Sequence, residues 1–308
     1  MNSFALWFES ADQNDSEFIA DVHFNLWNLH YKKAKPPFLD VGIKVYEPQK
    51  YSKVHFYVPW IVNKEEVVDL GQYLKSAEML CTIFNDDFVL SQEPQSKIIT
   101  ALNSNSKQEI NIYCLDIDSD VSIEHSYGGT IISFSRPDSL NGESTEYYRF
   151  RLTSEHFSRI IKPYSPKNVF LQSAFSTTEA IDFRFNDYRS LSPSLLEVMR
   201  NNASYKIGKV HFLLVVEADV DLMYASTVPT ARELEKDTWS KYFAYLGGKQ
   251  VVAYHWRVKS DDSSRLIENC IMFVKTRVHT CNWQTIATYI AIAGTLAVGF
   301  NYLSHLLF

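Results

Sequence analysis

The sequence predicts an α+β fold: a β-rich soluble region, built as two related β-sheet halves with short helices, followed by one C-terminal transmembrane helix. Three observations predict it. Most of the first 280 residues fall into short runs rich in β-branched and aromatic side chains. The tetrad Lys53-Val54-His55-Phe56 recurs as Lys209-Val210-His211-Phe212, each time opening a long apolar run, as a duplication would leave it. And from Val278 to Phe308 there is no Asp, Glu, Lys or Arg at all.

Strands are expected, in order, at 39–46, 53–62, 109–117, 128–135, 146–152, 169–175, 180–185, 205–220, 249–258 and 266–278. The segment 16–31 fits either the helical or the strand period. Helices are fewer. Asn63 and Glu66 have capping-box spacing ahead of Val67, Leu70, Leu74, Ala77 and Cys81, with Gly71 weakening the middle. A second helix is expected from Thr230 through Leu234, Trp239, Phe243 and Leu246 to a Gly247-Gly248 stop. Shorter ones fit 153–162, ended by Pro163, and 192–199, where Pro193 suits the first turn. Two prolines in KPYSPKN (162–168) interrupt the pattern, which divides the chain into 1–163, 164–280 and the tail 283–307.

The tail carries the clearest functional statement. Trp283 to Phe300 alone would cover roughly 27 Å as a helix, close to the ~30 Å hydrocarbon thickness of a bilayer. It has no polar stripe over Ile286 to Phe300, whereas a core helix at the end of a chain usually keeps one. Lys275 and Arg277 precede it and no Lys or Arg follows, which predicts a cytoplasmic N-terminal domain and a single pass. Trp283 and Tyr302 sit near its two ends, where amphipathic aromatics favour the interface. Ala287, Ala291, Thr295 and Gly299 recur every four residues and form one small-residue stripe, a surface on which copies of the helix would pack into a homo-oligomer.

Composition excludes some classes. A formal net charge of -6 speaks against a broad nucleic-acid surface, which draws its affinity from clustered Lys and Arg. Four cysteines (Cys81, Cys114, Cys270, Cys281) are scattered singly, as reduced thiols of a cytosol-like compartment would be. The N-terminus has no basic leader and turns acidic at once, unlike a secretory signal. No GxSxG, Walker loop, GxGxxG, HxxxH or HExxH pattern occurs, so no catalytic residue and no cofactor is nominated.

Two polar clusters remain. Asp116, Asp118 and Asp120 would set alternate carboxylates on a strand face, a geometry that suits a hard cation, although Val121 and Tyr127 stand where an EF-hand loop needs Gly and Glu. A solvated strand end accounts for the same run. In 180–196, Ile181, Phe183 and Phe185 would face the core while Asp182, Arg184 and Asn186 line the other side, with Arg189 in the following turn. That row would contact a small-molecule ligand or a soluble partner, or pair internally across strands. His55 and His211, inside apolar strands, read as hydrogen-bonded core groups.

The combined expectation is a membrane protein held by its C-terminal helix, with a cytosolic β-rich domain that senses a ligand or partner and transmits to an oligomerising tail. Soluble receptors on membrane-perturbing anchors occur in bacterial signalling and antiviral defence, an architectural parallel only. The alternatives are a membrane-tethered interaction scaffold and a membrane-anchored, metal-dependent hydrolase or phosphotransferase using the aspartates.

Overall fold

The computed structural model describes residues 3–11, 17–30, 36–91, 97–137, 144–164, 175–243, 246, 249–259, 267–279 and 283–307. Period-two alternation builds its centre. In β2 (Phe18–Trp27), Ala20, Val22, Phe24 and Leu26 are fully buried on one face, while Asp21, His23, Asn25 and Trp27 take the other. The ambiguous segment 16–31 is therefore a strand where it is described.

The largest sheet holds ten strands. Its order is β16 (Thr230–Glu233), β17 (Val251–Lys259), β14 (Tyr205–Glu217), β2, β3 (Phe38–Val45), β11 (Thr145–Thr153), β8 (Glu109–Tyr113), β7 (Ile98–Asn103) and β6 (Phe88–Ser91), with β5 (Val67–Asp69) paired to β11. Its apolar face packs on two smaller sheets. One runs β1 (Ala5–Ser10), β4 (Tyr51–Val58), β10 (Gly129–Ser135), β9 (Val121–Ser126). The other runs β12 (Ile161–Tyr164), β13 (Ser176–Phe185), β18 (Cys270–His279), β15 (Asp221–Ala225). A parallel bridge between Phe4 and Phe185 links these two into one layer. Phenylalanines tie the layers together: Phe183 stacks on Phe212 at 4.6 Å, and Phe56 meets Phe150 edge-on at 5.7 Å.

Strands from 1–163 and from 164–280 thus share one sheet and one core, which runs from Phe4 to Val278. The expected boundary at 163 falls inside β12. The repeated tetrad lies in β4 and β14, strands of different sheets. A third Val-His-Phe stands in β2, and the parallel β2–β14 pair sets Val22 beside Val210, His23 beside His211 and Phe24 beside Phe212.

Helices cover the opposite face of the large sheet. Here the structure corrects three expectations. The Asn63–Glu66 capping box forms, with Asn63 N donating to Glu66 Oε2 at 2.8 Å, but it caps a single 3₁₀ turn, Lys64–Glu66. Val67–Asp69 then pairs with β11, and a true helix, α1 (Ala77–Phe84), begins only at Ala77. Likewise Thr230 opens edge strand β16, and the helix there, α3, is confined to Lys236–Tyr242. In both places a free strand edge captured residues whose local pattern is helical. The segment 153–162 is a 3₁₀ turn capped by Ser154 and followed by β12, whose Pro163 is tolerated on an edge strand. Helix α2 (Pro193–Arg200) forms as expected, with Ser192 Oγ accepting from Leu195 N at 3.2 Å. The strand expected at 169–175 and the Gly247-Gly248 stop lie outside the described residues, apart from Phe175 in a turn.

The chain closes with α4 (Trp283–Leu307). Ile286–Leu307 is long and apolar enough to cross a membrane, with mean hydropathy 1.5, and it is not buried against the rest of the molecule.

Candidate functional site

The polar face of the large sheet is not fully covered. Between the C-terminal end of α1 (Thr82 to Phe84, then Asn85) and the Trp239 and β16 side it leaves a cavity of about 550 Å³. That size is typical of a small-molecule pocket. Strand register lays out its floor as a grid. One row runs Lys44, Asp21 and Lys209 across β3, β2 and β14; the next runs Arg149, Gly42, His23, His211 and Arg257 from β11 to β17.

A bulge aims the middle of this grid. Register shifts between Ile207 and Lys209, so Ile207 points into the core while Lys209 turns to the cavity. Gly208 takes the extra position, where a Cβ would lie 2.7 Å from Asp21 Oδ1. Gly in a strand pattern is a legible bulge signal, and YKIGKVHF carries it.

Most of the buried polar groups beneath the floor are satisfied. Arg149, fully buried, donates through Nε to the Tyr242 hydroxyl and through Nη1 to the Tyr147 hydroxyl, both at 2.9 Å. Its Nη2 donates to the Asn25 carboxamide oxygen at 2.8 Å, in the amide orientation that satisfies both Asn25 atoms. Asp40 supplies the nearest carboxylate, 4.0 Å away, and also accepts from Arg151 Nε at 2.6 Å. Two guanidiniums therefore share one buried carboxylate.

The three cavity histidines form a contiguous row. The His23 and His211 rings meet edge to face at 4.8 Å, and His211 Nδ1 lies 3.0 Å from His255 Nε2, one donating and the other accepting. Burial, helped by His255 and Arg257, pushes His211 down to about 3. Burial and neighbouring cationic groups also lower His23 and His255, so all three are neutral at pH 7. Burial lowers Lys44 despite the nearby Asp21 carboxylate. His211 is thus hydrogen-bonded as expected, yet it lines a cavity. His55 does sit in the core, between Ser133 Oγ at 2.7 Å and Glu9 Oε1 at 3.0 Å.

A second titratable cluster ties the sheets together. His30 bridges Glu179 of β13, at 3.0 Å from Nε2, and Glu217 at the end of β14, at 3.3 Å from Nδ1. Burial alone would lower its pKa, but the bonds to the two carboxylates outweigh it and raise it to about 9.

The residues singled out in the sequence lie elsewhere. Arg184 donates to Asp182 (Nη2–Oδ2 2.8 Å), to Asp187 (3.3 Å) and to Ser190 Oγ (3.0 Å), and Arg189 Nε reaches Asp187 Oδ1 at 3.1 Å. Asn186 Oδ1 accepts from Leu6 N at 3.1 Å, and its Nδ2 donates to the Tyr205 hydroxyl at 3.2 Å. This row closes on itself and fastens β1 in place, although Asn186 also lines a smaller cavity with Trp7, Met199 and Tyr205. Asp116, Asp118 and Asp120 do not share a strand face. They form a turn closed by Asp120 N to Asp116 O at 2.8 Å, with Lys97 Nζ on Asp120 at 2.9 Å and Lys64 Nζ 3.6 Å from Asp118. Among the described residues no group of three or more His, Cys, Asp or Glu side chains is arranged to hold a metal ion.

Cys81 and Cys114 are half-buried and Cys270 is buried, all three as free thiols, and burial pushes Cys114 up to about 11. Cys281 lies outside the described residues. Comparison of the chain with protein-family models and with curated proteins gives no match, so the cavity has to be read from its own chemistry.

Proposed function

We propose that this chain is a membrane-anchored binding protein, whose β-rich body holds a small ligand in the cavity on the large sheet and whose C-terminal helix spans a bilayer. The observation that carries the anchor is the tail: the 22-residue stretch Ile286–Leu307, of mean hydropathy 1.5, which is not buried against the body. Exposing so much apolar side chain to water costs about 25 cal/mol per Å², a cost that lipid removes. The positive flank of Lys275 and Arg277 supports a body on the cytoplasmic side.

The stripe of Ala287, Ala291, Thr295 and Gly299 supports oligomerisation, since added Cβ atoms at Gly294 and Gly299 would meet nothing within 4 Å and a neighbouring helix has room to approach. A contiguous route supports transmission. Floor strand β14 ends at Glu217, which holds His30; His30 holds Glu179 on β13, and β13 pairs with β18, whose last residue, His279, lies four positions before Trp283. Two-part designs of this kind occur in bacterial signalling and antiviral-defence effectors, an architectural parallel that this reading shares.

Fractionation tests the anchor. Full-length protein is expected to stay in the membrane pellet through carbonate extraction, and a chain ending at His279 to be released to the supernatant. Extraction of the full-length chain with carbonate would sink the reading.

A further inference from the structure

The cavity's charge is lopsided. Lys44, Arg149, Lys209, Arg232 and Arg257 line it against a single carboxylate, Asp21. Yet the whole chain carries a formal charge of -6, so cations are concentrated here against the trend of the sequence. Little of that positive charge is neutralised locally. Asp21 is shared between Lys209 Nζ, at 3.5 Å, and the Tyr46 hydroxyl, at 2.7 Å. Asp40 is shared between Arg149 and Arg151. Arg232 reaches Glu235 only at 3.9 Å. Lys44 and Arg257 make no ion pair among the described residues, Lys44 lying instead 4.9 Å from the centroid of the Tyr46 ring.

Like charges held together in a concave, partly desolvated site repel one another, and a bound anion relieves the repulsion. Strand spacing then sets the shape of that anion. Lys44 and Lys209 stand two strands apart, roughly 10 Å at ~4.8 Å per strand, and the row that holds His211 and Arg257 lies two residues, or about 7 Å, further along. One carboxylate is too small to engage both rows, whereas two or more phosphate groups would reach them. Phosphate also matches the donors, which are a guanidinium fork, ammonium groups and imidazole N–H, with Asp21 the single carboxylate in the lining and already bonded to the Tyr46 hydroxyl. Phe84, Trp239 and Leu213 in the same wall supply apolar surface for an organic moiety.

Resting on the binding-protein reading above, we propose that this cavity binds a small polyanion carrying two or more phosphate groups, gripped by Lys44, Lys209, Arg257 and the His211–His255 pair. The ligand is a phosphorylated metabolite or nucleotide rather than a nucleic-acid strand, because the cationic residues converge on one cavity of about 550 Å³ in a chain whose formal net charge is -6.

The test is calorimetry on the full-length protein in neutral detergent, titrated with pyrophosphate, ATP and adenosine. Saturable binding of pyrophosphate or ATP is expected, with none for adenosine and with affinity falling as NaCl rises. Tighter binding of ATP than of pyrophosphate would show that the organic part is seated; equal affinities would show recognition of the phosphates alone. The double variant Lys209→Gln/Arg257→Gln should weaken binding at least tenfold, with the unfolding midpoint as a control for folding and Lys44→Gln as a second variant should the pair not fold. The proposal is overturned if neither anion binds saturably up to millimolar concentration, or if folded variants bind as the parent does. Carbonate resistance is unaffected by either result, and a neutral or cationic ligand found on the purified protein by native mass spectrometry would retain the binding function while removing the phosphate.

Discussion

At the scale of single residues, His30 is where protonation does most to hold the molecule together. Its ring bridges two carboxylates from different sheets, and its side chain is 23% exposed, so solvent screens the contacts only in part. The pKa is raised from 6.5 to about 9, so the stabilisation is fully present below about pH 6.5 and is lost as pH rises through 9. Glu179 and Glu217 are lowered, burial opposing and the bonds to His30 prevailing, so their share is present above the ordinary carboxylate value and is lost as pH falls through their depressed values. The full histidine term is on the order of 3 kcal/mol before screening reduces it. Thermal unfolding of the parent should therefore drop by several degrees between pH 6.5 and 9.5, and His30→Gln should be less stable at pH 6.5 and flat over that interval. A parent and variant that fall in parallel would remove His30 from the account. None of this was legible in the sequence, because three residues separated by 149 and 38 positions meet only once the β2 and β14 strands are paired in parallel.

At the scale of elements, what was legible depended on whether a segment's partners are local. The strand character of β3, β11 and β14 is written in their own residues, and Ile181, Phe183 and Phe185 of β13 are buried as their alternation predicts, whereas 16–31 fits either period and is held as β2 by its neighbours β3 and β14. The Ser192–Pro193 start of α2 is equally local. By contrast, the segment after Asn63 carries a capping box and helical spacing, but Val67–Asp69 is claimed by the edge of β11, a competitor that lies some 80 residues further on. Gly71 marks the decision. Its N donates to Asp69 Oδ1 at 3.1 Å, and a Cβ there would lie 2.0 Å from the Tyr113 carbonyl oxygen. Were the segment a continuous helix, Gly71→Ala would stabilise it by about 1 kcal/mol. In the packed arrangement the same change forces backbone apart and should destabilise by roughly 1–3 kcal/mol. Chemical denaturation of that variant separates the two arrangements by the sign of the effect. The cavity was half-legible in the same sense: Asp21-x-His23-x-Asn25, Lys209-x-His211 and His255-x-Arg257 each show a polar face, but their convergence depends on the order β17-β14-β2-β3, which no single strand encodes.

At the scale of the whole molecule, the tail and the body are separable in energy though continuous in chain. The body has its own core, running through all three sheets, and Ile286–Leu307 contributes nothing to it. Changes within α4 should therefore leave unfolding of the body untouched and act only on what the helix itself contacts. Ala291 and Gly299 lie on the small-residue stripe two turns apart, and close helix approach depends on both remaining small. Replacing both with Leu raises the apolarity of the segment, so insertion should be retained or strengthened, while the bulk separates packed helices. The expected result is a full-length variant that still resists carbonate, unfolds at the parent's midpoint, and shows a smaller mass than the parent by light scattering with detergent subtracted. An unchanged mass would move any self-association away from this stripe, and a lowered midpoint would mean that the tail packs on the body after all, which the exposure of α4 denies.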